Sequence, residues 1–116
     1  MLLMLMLGMV ICACKKPAEV IEGIYSGTFM IDAASAGSGT VTLSMVSDNT
    51  VNLKMIITPN PSVTYNNVTI AGVENPYALS YTSVAQNLYG GVNGNSLNFT
   101  IYDTSGTETS FSGTKN

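Results

Sequence analysis

The chain has 116 residues, 46% of them hydrophobic, with seven acids against four lysines, a net charge of −3, and neither histidine nor tryptophan. That length supports a single domain. A net negative chain without arginine offers no footprint for phosphate backbones, so nucleic acid is not an expected partner. Without histidine, or a cysteine beyond Cys14, no Ser-His-Asp or Cys-His site can be assembled. Nor does any metal cluster of recognisable spacing appear. The expectation is a protein that is not an enzyme and carries no cofactor.

The chain opens on an apolar run, Leu2 to Ile11, about half of what a membrane-spanning helix needs and of the size of a signal-peptide apolar region. It ends in Ile11-Cys12-Ala13-Cys14, which has the form of a bacterial lipobox: an aliphatic residue three before the modified cysteine and a small one just before it. Cys12 does not fit, because bulky Ile11 would precede the cut. Residues 1–13 are therefore expected to be a lipoprotein signal peptide and Cys14 the lipidated residue. This implies a cell-envelope location, anchored to a membrane that is most simply the outer membrane of a Gram-negative bacterium. Both cysteines lie in this segment, so no disulfide staples the rest. Residues 14–22, with Lys15, Lys16 and Pro17, read as a flexible tether, solvated or touching anionic lipid.

From Gly23 the pattern is period-2 alternation with turn residues every eight to twelve positions, so residues 23–116 read as an all-β domain. A first strand, 23–32, puts Tyr25, Gly27, Phe29 and Ile31 on one face, with Ile24 and Met30 on the other. A loop over Ala34 to Ser38 follows, expected to pair Ile31 with Val41 and Phe29 with Leu43. Strands 39–46 and 50–58 share a face only if their loop holds an odd number of residues. Ser47-Asp48-Asn49 satisfies this, with Asn49 in the left-handed conformation, and pairs Met45 with Val51, Leu43 with Leu53 and Val41 with Met55. The two prolines of Thr58 to Ser62 form a loop at a barrel mouth. A fourth strand, 63–73, carries Val68 and Ile70, and Asn75-Pro76 turns the chain. A fifth, 77–83, carries Tyr77, Leu79 and Tyr81 on a face whose direction is open. Asn93-Gly94 is a hairpin signal joining 86–92 to 96–103, expected to set Gly90 opposite Leu97 and Leu88 opposite Phe99. Thr104-Ser105-Gly106 joins the last strand and sets Ile101 against Thr109, Phe99 against Phe111 and Leu97 against Gly113.

Eight short strands with one apolar face predict an eight-stranded antiparallel up-and-down barrel, with a two-sheet sandwich as the alternative. The segments Gly23-Ile24-Tyr25-Ser26-Gly27-Thr28, Asn49-Thr50-Val51-Asn52-Leu53 and Gly91-Val92-Asn93-Gly94-Asn95-Ser96-Leu97, with the ending Phe111-Ser112-Gly113-Thr114-Lys115, resemble the calycin-like (lipocalin-like) family of small bacterial lipoproteins. The resemblance implies a calycin-type barrel, whose larger relatives hold small apolar ligands. Gly23-x-Tyr25 stands where lipocalins place Gly-x-Trp, and Lys115 is a partial substitute for the arginine that caps it.

The acids Asp32, Asp48, Glu74, Asp103 and Glu108 fall at turns or outward positions, so no carboxyl pair converges for glycoside chemistry. Two readings of function remain. A carrier would bind a small, uncharged, apolar ligand among Phe29, Leu43, Leu53, Met55, Tyr77, Tyr81, Phe99 and Phe111. An envelope interaction module would have a filled core and use outer residues such as Ile24, Met30 and Ile56.

Overall fold

The computed structural model describes residues 16–32, 34–57 and 61–116. Eight strands, β1 (Gly23–Ile31), β2 (Ala34–Ser47), β3 (Thr50–Ile57), β4 (Val63–Ala71), β5 (Tyr77–Thr82), β6 (Gln86–Asn93), β7 (Ser96–Asp103) and β8 (Glu108–Lys115), pair in chain order and close into one antiparallel barrel. The ring is closed by β1 against β8, from Tyr25 opposite Lys115 to Ile31 opposite Thr109. Closure leaves no edge strand, and the sandwich alternative falls away. The signal peptide and Cys14 lie outside the described residues, as do residues 58–60 of the mouth loop.

The buried residues of every strand are apolar and make one core, in which Tyr25, Phe29, Val41, Val51, Leu53, Val68, Leu88 and Leu97 are wholly shielded. The β7–β8 register is as the alternation predicts, with Phe99 opposite Phe111 and Leu97 opposite Gly113. Gly106 adopts a φ of 88° in the connecting loop. The expected β2–β3 pairs also form, Val41 with Met55, Leu43 with Leu53 and Met45 with Val51. Their odd residue, however, is a bulge at Val46 followed by a two-residue turn, and Asn49 does not take the left-handed conformation. A bulge restores the face as well as a longer loop does.

Two expected registers are wrong, although each keeps its residues on the correct face. Tyr25, not Ile31, opposes Val41, and Phe29 opposes Gly37 rather than Leu43. The small residues 34–38 have little strand propensity, yet they extend β2 because the turn comes immediately after Ile31. Asp32, at φ 51°, donates its N–H to the Glu108 carbonyl at 2.7 Å and accepts the Glu108 N–H at 3.0 Å, which pins the turn to β8. Just beyond them Gly39 has no room for a side chain, since a Cβ there would run into the Ile56 carbonyl oxygen and lie 2.8 Å from the Phe29 ring. In the β6–β7 hairpin Asn93 pairs with Ser96, so Gly90 opposes Phe99 and Leu88 opposes Ile101. The turn is Gly94-Asn95, with Gly94 at φ 61° in its first central position, the place where a II′ turn requires glycine. The Gly94 N–H is taken by the Asn75 side chain at 3.1 Å.

The segment expected to be a flexible tether is ordered from Lys16 onward. Pro17–Ile21 forms a single helical turn, α1. Pro17 opens it at a position where its missing N–H costs nothing, and Glu19 reaches back to the Lys16 N–H at 3.4 Å. Ala18 and Ile21, three apart and so on one face, are buried.

Phe99 stacks on Phe111 with ring centroids 5.5 Å apart and is 3% exposed. Phe99→Ala should cost about 3 to 5 kcal/mol of stability, the range for emptying a large core site. Urea unfolding measures it, and a loss below about 1 kcal/mol would be inconsistent with the central position of this ring.

Candidate functional site

The two ends of the barrel are built differently. At the base, where β1 begins and β8 ends, α1 lies across the opening. The buried Tyr25 hydroxyl donates to the Ile21 carbonyl at 2.7 Å. The Lys115 ammonium donates to the Val20 carbonyl at 3.0 Å and stands 5.6 Å from the centre of the Tyr25 ring. Helix C-terminal carbonyls without intrahelical partners need such donors, and the cation over the ring adds a further attraction. Lys115 thus stands over Tyr25 at the base. Burial pushes the Tyr25 phenol up to about 12.

The interior above this plug is occupied by side chains. Phe29, Phe111 and Phe99 form a continuous aromatic group, with Phe29 and Phe111 centroids 4.7 Å apart. All the residues expected to line a ligand chamber do face inward: Phe29, Leu43, Leu53, Met55, Tyr77, Phe99 and Phe111 are buried, and Tyr81 is half-buried. They contact one another as a core. The open question of β5 is settled, since Tyr77 and Leu79 are buried and Tyr81 packs against the core.

At the mouth the core ends in Tyr65 and Tyr81, edge to face at 5.4 Å. Burial raises the Tyr65 pKa, and a hydrogen bond with Gln86 works the other way. Tyr65 escaped the sequence analysis because a bulge separates it from Val68. Leu53 opposes Tyr65 while Val51 opposes Val68, and Asn67 takes a φ of 60° between them. The signal was Asn66-Asn67, since asparagine tolerates that conformation. Asp103, also at the mouth, is a loop staple: its Oδ1 accepts Ser105 Oγ, the Ser105 N–H and the Thr107 N–H at 2.7 to 3.0 Å. These bonds hold its carboxyl below the usual carboxylate range.

The outer wall carries a trough of about 350 Å³ across β1, β8, β7 and β6. The row Met30, Ser110, Thr100, Tyr89 crosses all four strands, so half-exposed Met30 and Tyr89 flank a floor of hydroxyls and the Asn98 amide. No charged side chain lines it. Ile24 and Met30 are exposed and Ile56 is partly covered. The three do not form one patch, because Ile24 lies near the base and Ile56 pairs with Thr40, away from Met30. A smaller hollow of about 160 Å³ lies beside the β5–β6 and β7–β8 loops. The Asn87 amide oxygen, on its lining, is buried without a partner.

Among the described residues no three His, Cys, Asp or Glu converge as metal ligands, and no helix is long and apolar enough to cross a membrane. The architecture defines the class: a small closed eight-stranded antiparallel barrel with a plugged base. No protein-family model matches the sequence. No curated protein matches it. A solved structure from Bacteroides fragilis, described as a candidate outer membrane protein, superposes with a TM-score of 0.64 at 15% identity, covering 84% of this chain and 52% of that one. This chain therefore spans about half of that protein's length, and the likeness is one of fold.

The Tyr25 phenol should titrate well after an exposed tyrosine in alkaline ultraviolet difference spectra, and Tyr25→Phe should remove that late step. Because burial raises the folded-state pKa from 10.0 to about 12, the neutral phenol's contribution to stability is complete below about pH 10. It is lost as pH rises from there toward about 12. At neutral pH, Tyr25→Phe should cost about 1 kcal/mol for the hydrogen bond to Ile21.

Proposed function

We propose that this chain is a lipid-anchored, non-catalytic barrel of the calycin-like kind, held at the bacterial outer membrane through Cys14. In this reading it works through its outer wall as an envelope interaction module. The observation that carries the reading is the packing of the interior: aromatic and aliphatic side chains fill the space that a carrier would keep open, from Tyr25 at the base to Tyr65 at the mouth. An eight-stranded barrel is of the size that side chains can just fill. The lipobox Ile11-Cys12-Ala13-Cys14 supports the anchor, and the lack of histidine supports a non-catalytic role. The fold neighbour's description as an outer membrane protein agrees with an envelope location. A second reading, carriage of a small apolar ligand, is favoured by one feature, the half-buried Tyr81 against Tyr65 at the mouth. The one lysine on the inner face, Lys115, is already engaged at the base with the Val20 carbonyl and the Tyr25 ring, so a charged ligand at the mouth would be unpaired and the ligand would be uncharged.

Two experiments test these points. Cys14→Ser should leave uncut precursor that takes up no labelled fatty acid in a bacterial host. Labelling that survives this change but is lost in Cys12→Ser would move the anchor to Cys12. The protein should fail to enhance an apolar fluorescent probe, whereas Phe111→Ala, which opens a dry void between Phe29 and Phe99, should bind it. Probe binding by the unaltered protein that Leu53→Trp abolishes would establish the carrier instead.

A further inference from the structure

We propose that α1 seats the closed base of the barrel against the lipid surface, with the mouth pointing away from it and Val46 and Val73 in contact with the lipid. The inference rests on the lipid-anchor reading above and adds the orientation. Its first support is the length of chain between the anchor and the folded domain. Cys14 and Lys16 are two residues apart, a reach of at most about 7 Å, and from Lys16 the chain is fastened to the base at several points. Lys16 pairs with Asp48 at 3.5 Å, and the Ala18 N–H donates to the Asp48 carbonyl at 3.0 Å. Ala18 and Ile21 are buried, and Tyr25 and Lys115 hold the carbonyls of Ile21 and Val20. A lipid on Cys14 therefore acts on the base directly.

The second support is what surrounds the point where α1 begins. The β2–β3 turn to which Lys16 and Ala18 are bonded is flanked by two exposed apolar side chains. Val46, turned out by the bulge, is 48% exposed, and Val73, in the loop after β4, is 87% exposed. The two sides are tied together, since the Ile70 N–H donates to the Asn49 carbonyl at 2.8 Å. Glu19, Glu22 and Glu74 lie at the same end and are exposed, while Lys16 is already paired. With Asp48 these acids are nearly balanced by Lys16 and Lys115 at the same end and by Lys15, which precedes Lys16 in sequence, so the contact is chiefly hydrophobic and anionic lipid should change it little.

The test uses the absence of tryptophan from this chain. Val73→Trp places one fluorophore at the base and Val84→Trp places one at the mouth, where Val84 is 99% exposed. Each full chain is expressed in a Gram-negative host, purified with its lipid, reconstituted into phosphatidylcholine vesicles containing a dansyl-headgroup lipid, and recovered by flotation. The two positions are separated by the barrel's height, roughly 20 Å for nine-residue strands at ~3.3 Å per residue and a tilt of about 40°. Energy transfer from tryptophan to dansyl should be several-fold stronger in the base variant. A flexible Gly-Ser insertion of about ten residues after Cys14, reaching roughly 18 Å, should weaken that preference by removing the constraint of the short connection. Chains that do not float overturn the anchor and the inference together. Chains that float but transfer equally, or more strongly from the mouth, overturn the seating alone. A base preference that survives the insertion upholds the seating and assigns it to the apolar contact of Val46 and Val73 rather than to the short connection.

Discussion

The structure depends on the pairing of β1 with β8. These strands are the ends of the domain in sequence, and their ladder turns a meander into a ring, with Phe29 set directly against Phe111 and Gly27 against Gly113. The approach is so close that a Cβ on Gly113 would lie 2.6 Å from the Ser26 carbonyl oxygen. Glycine is needed where backbones approach this closely. Once the ring is closed no edge remains to pair with another chain, and the apolar faces of all eight strands share one interior. The chain has neither disulfide nor metal cluster among its described residues to do this instead.

Closure at this size also decides what the interior can do. The same side chains that would line a chamber are needed as core, and three phenylalanines in series, Phe29 on Phe111 and Phe111 on Phe99, occupy the centre. A functional surface is then sought outside the ring or at its ends. The ends are unlike: the base is sealed by α1, Tyr25 and Lys115, while the mouth presents the Tyr65 and Tyr81 pair and the loops beside it. Under the proposed anchor at Cys14, two residues before Lys16, this polarity distinguishes the end nearer the membrane from the end farther from it. The outer wall between them, with Met30 and Tyr89 on either side of an uncharged trough, is left free under that arrangement.

What the sequence determined by itself was the facing of the strands. Alternation assigned Phe29, Leu43, Leu53, Met55, Phe99 and Phe111 to the interior, and all are there. The shared face of β2 and β3 was read correctly, because a slip of one residue would turn a whole strand inside out, but a bulge at Val46 with a two-residue turn secures it in place of the expected three-residue loop. A slip by any even number keeps every face, two residues between β6 and β7 and six between β1 and β2, so alternation does not detect it. That is why the β1–β2 and β6–β7 partners were misassigned while their faces were right. Those registers were decided by contacts from elsewhere in the ring: Glu108 holding the turn at Asp32, and the Asn75 amide oxygen accepting the Gly94 N–H. The bulge that brings Tyr65 inward and the docking of α1 were likewise tertiary. A five-residue helix has too few internal hydrogen bonds to persist alone, and it exists because Ala18 and Ile21 find a buried surface. A period in the sequence records which side of a strand meets water. Which residue lies beside which, and which end of the ring is sealed, follows only when distant segments compete for the same space and the same hydrogen bonds.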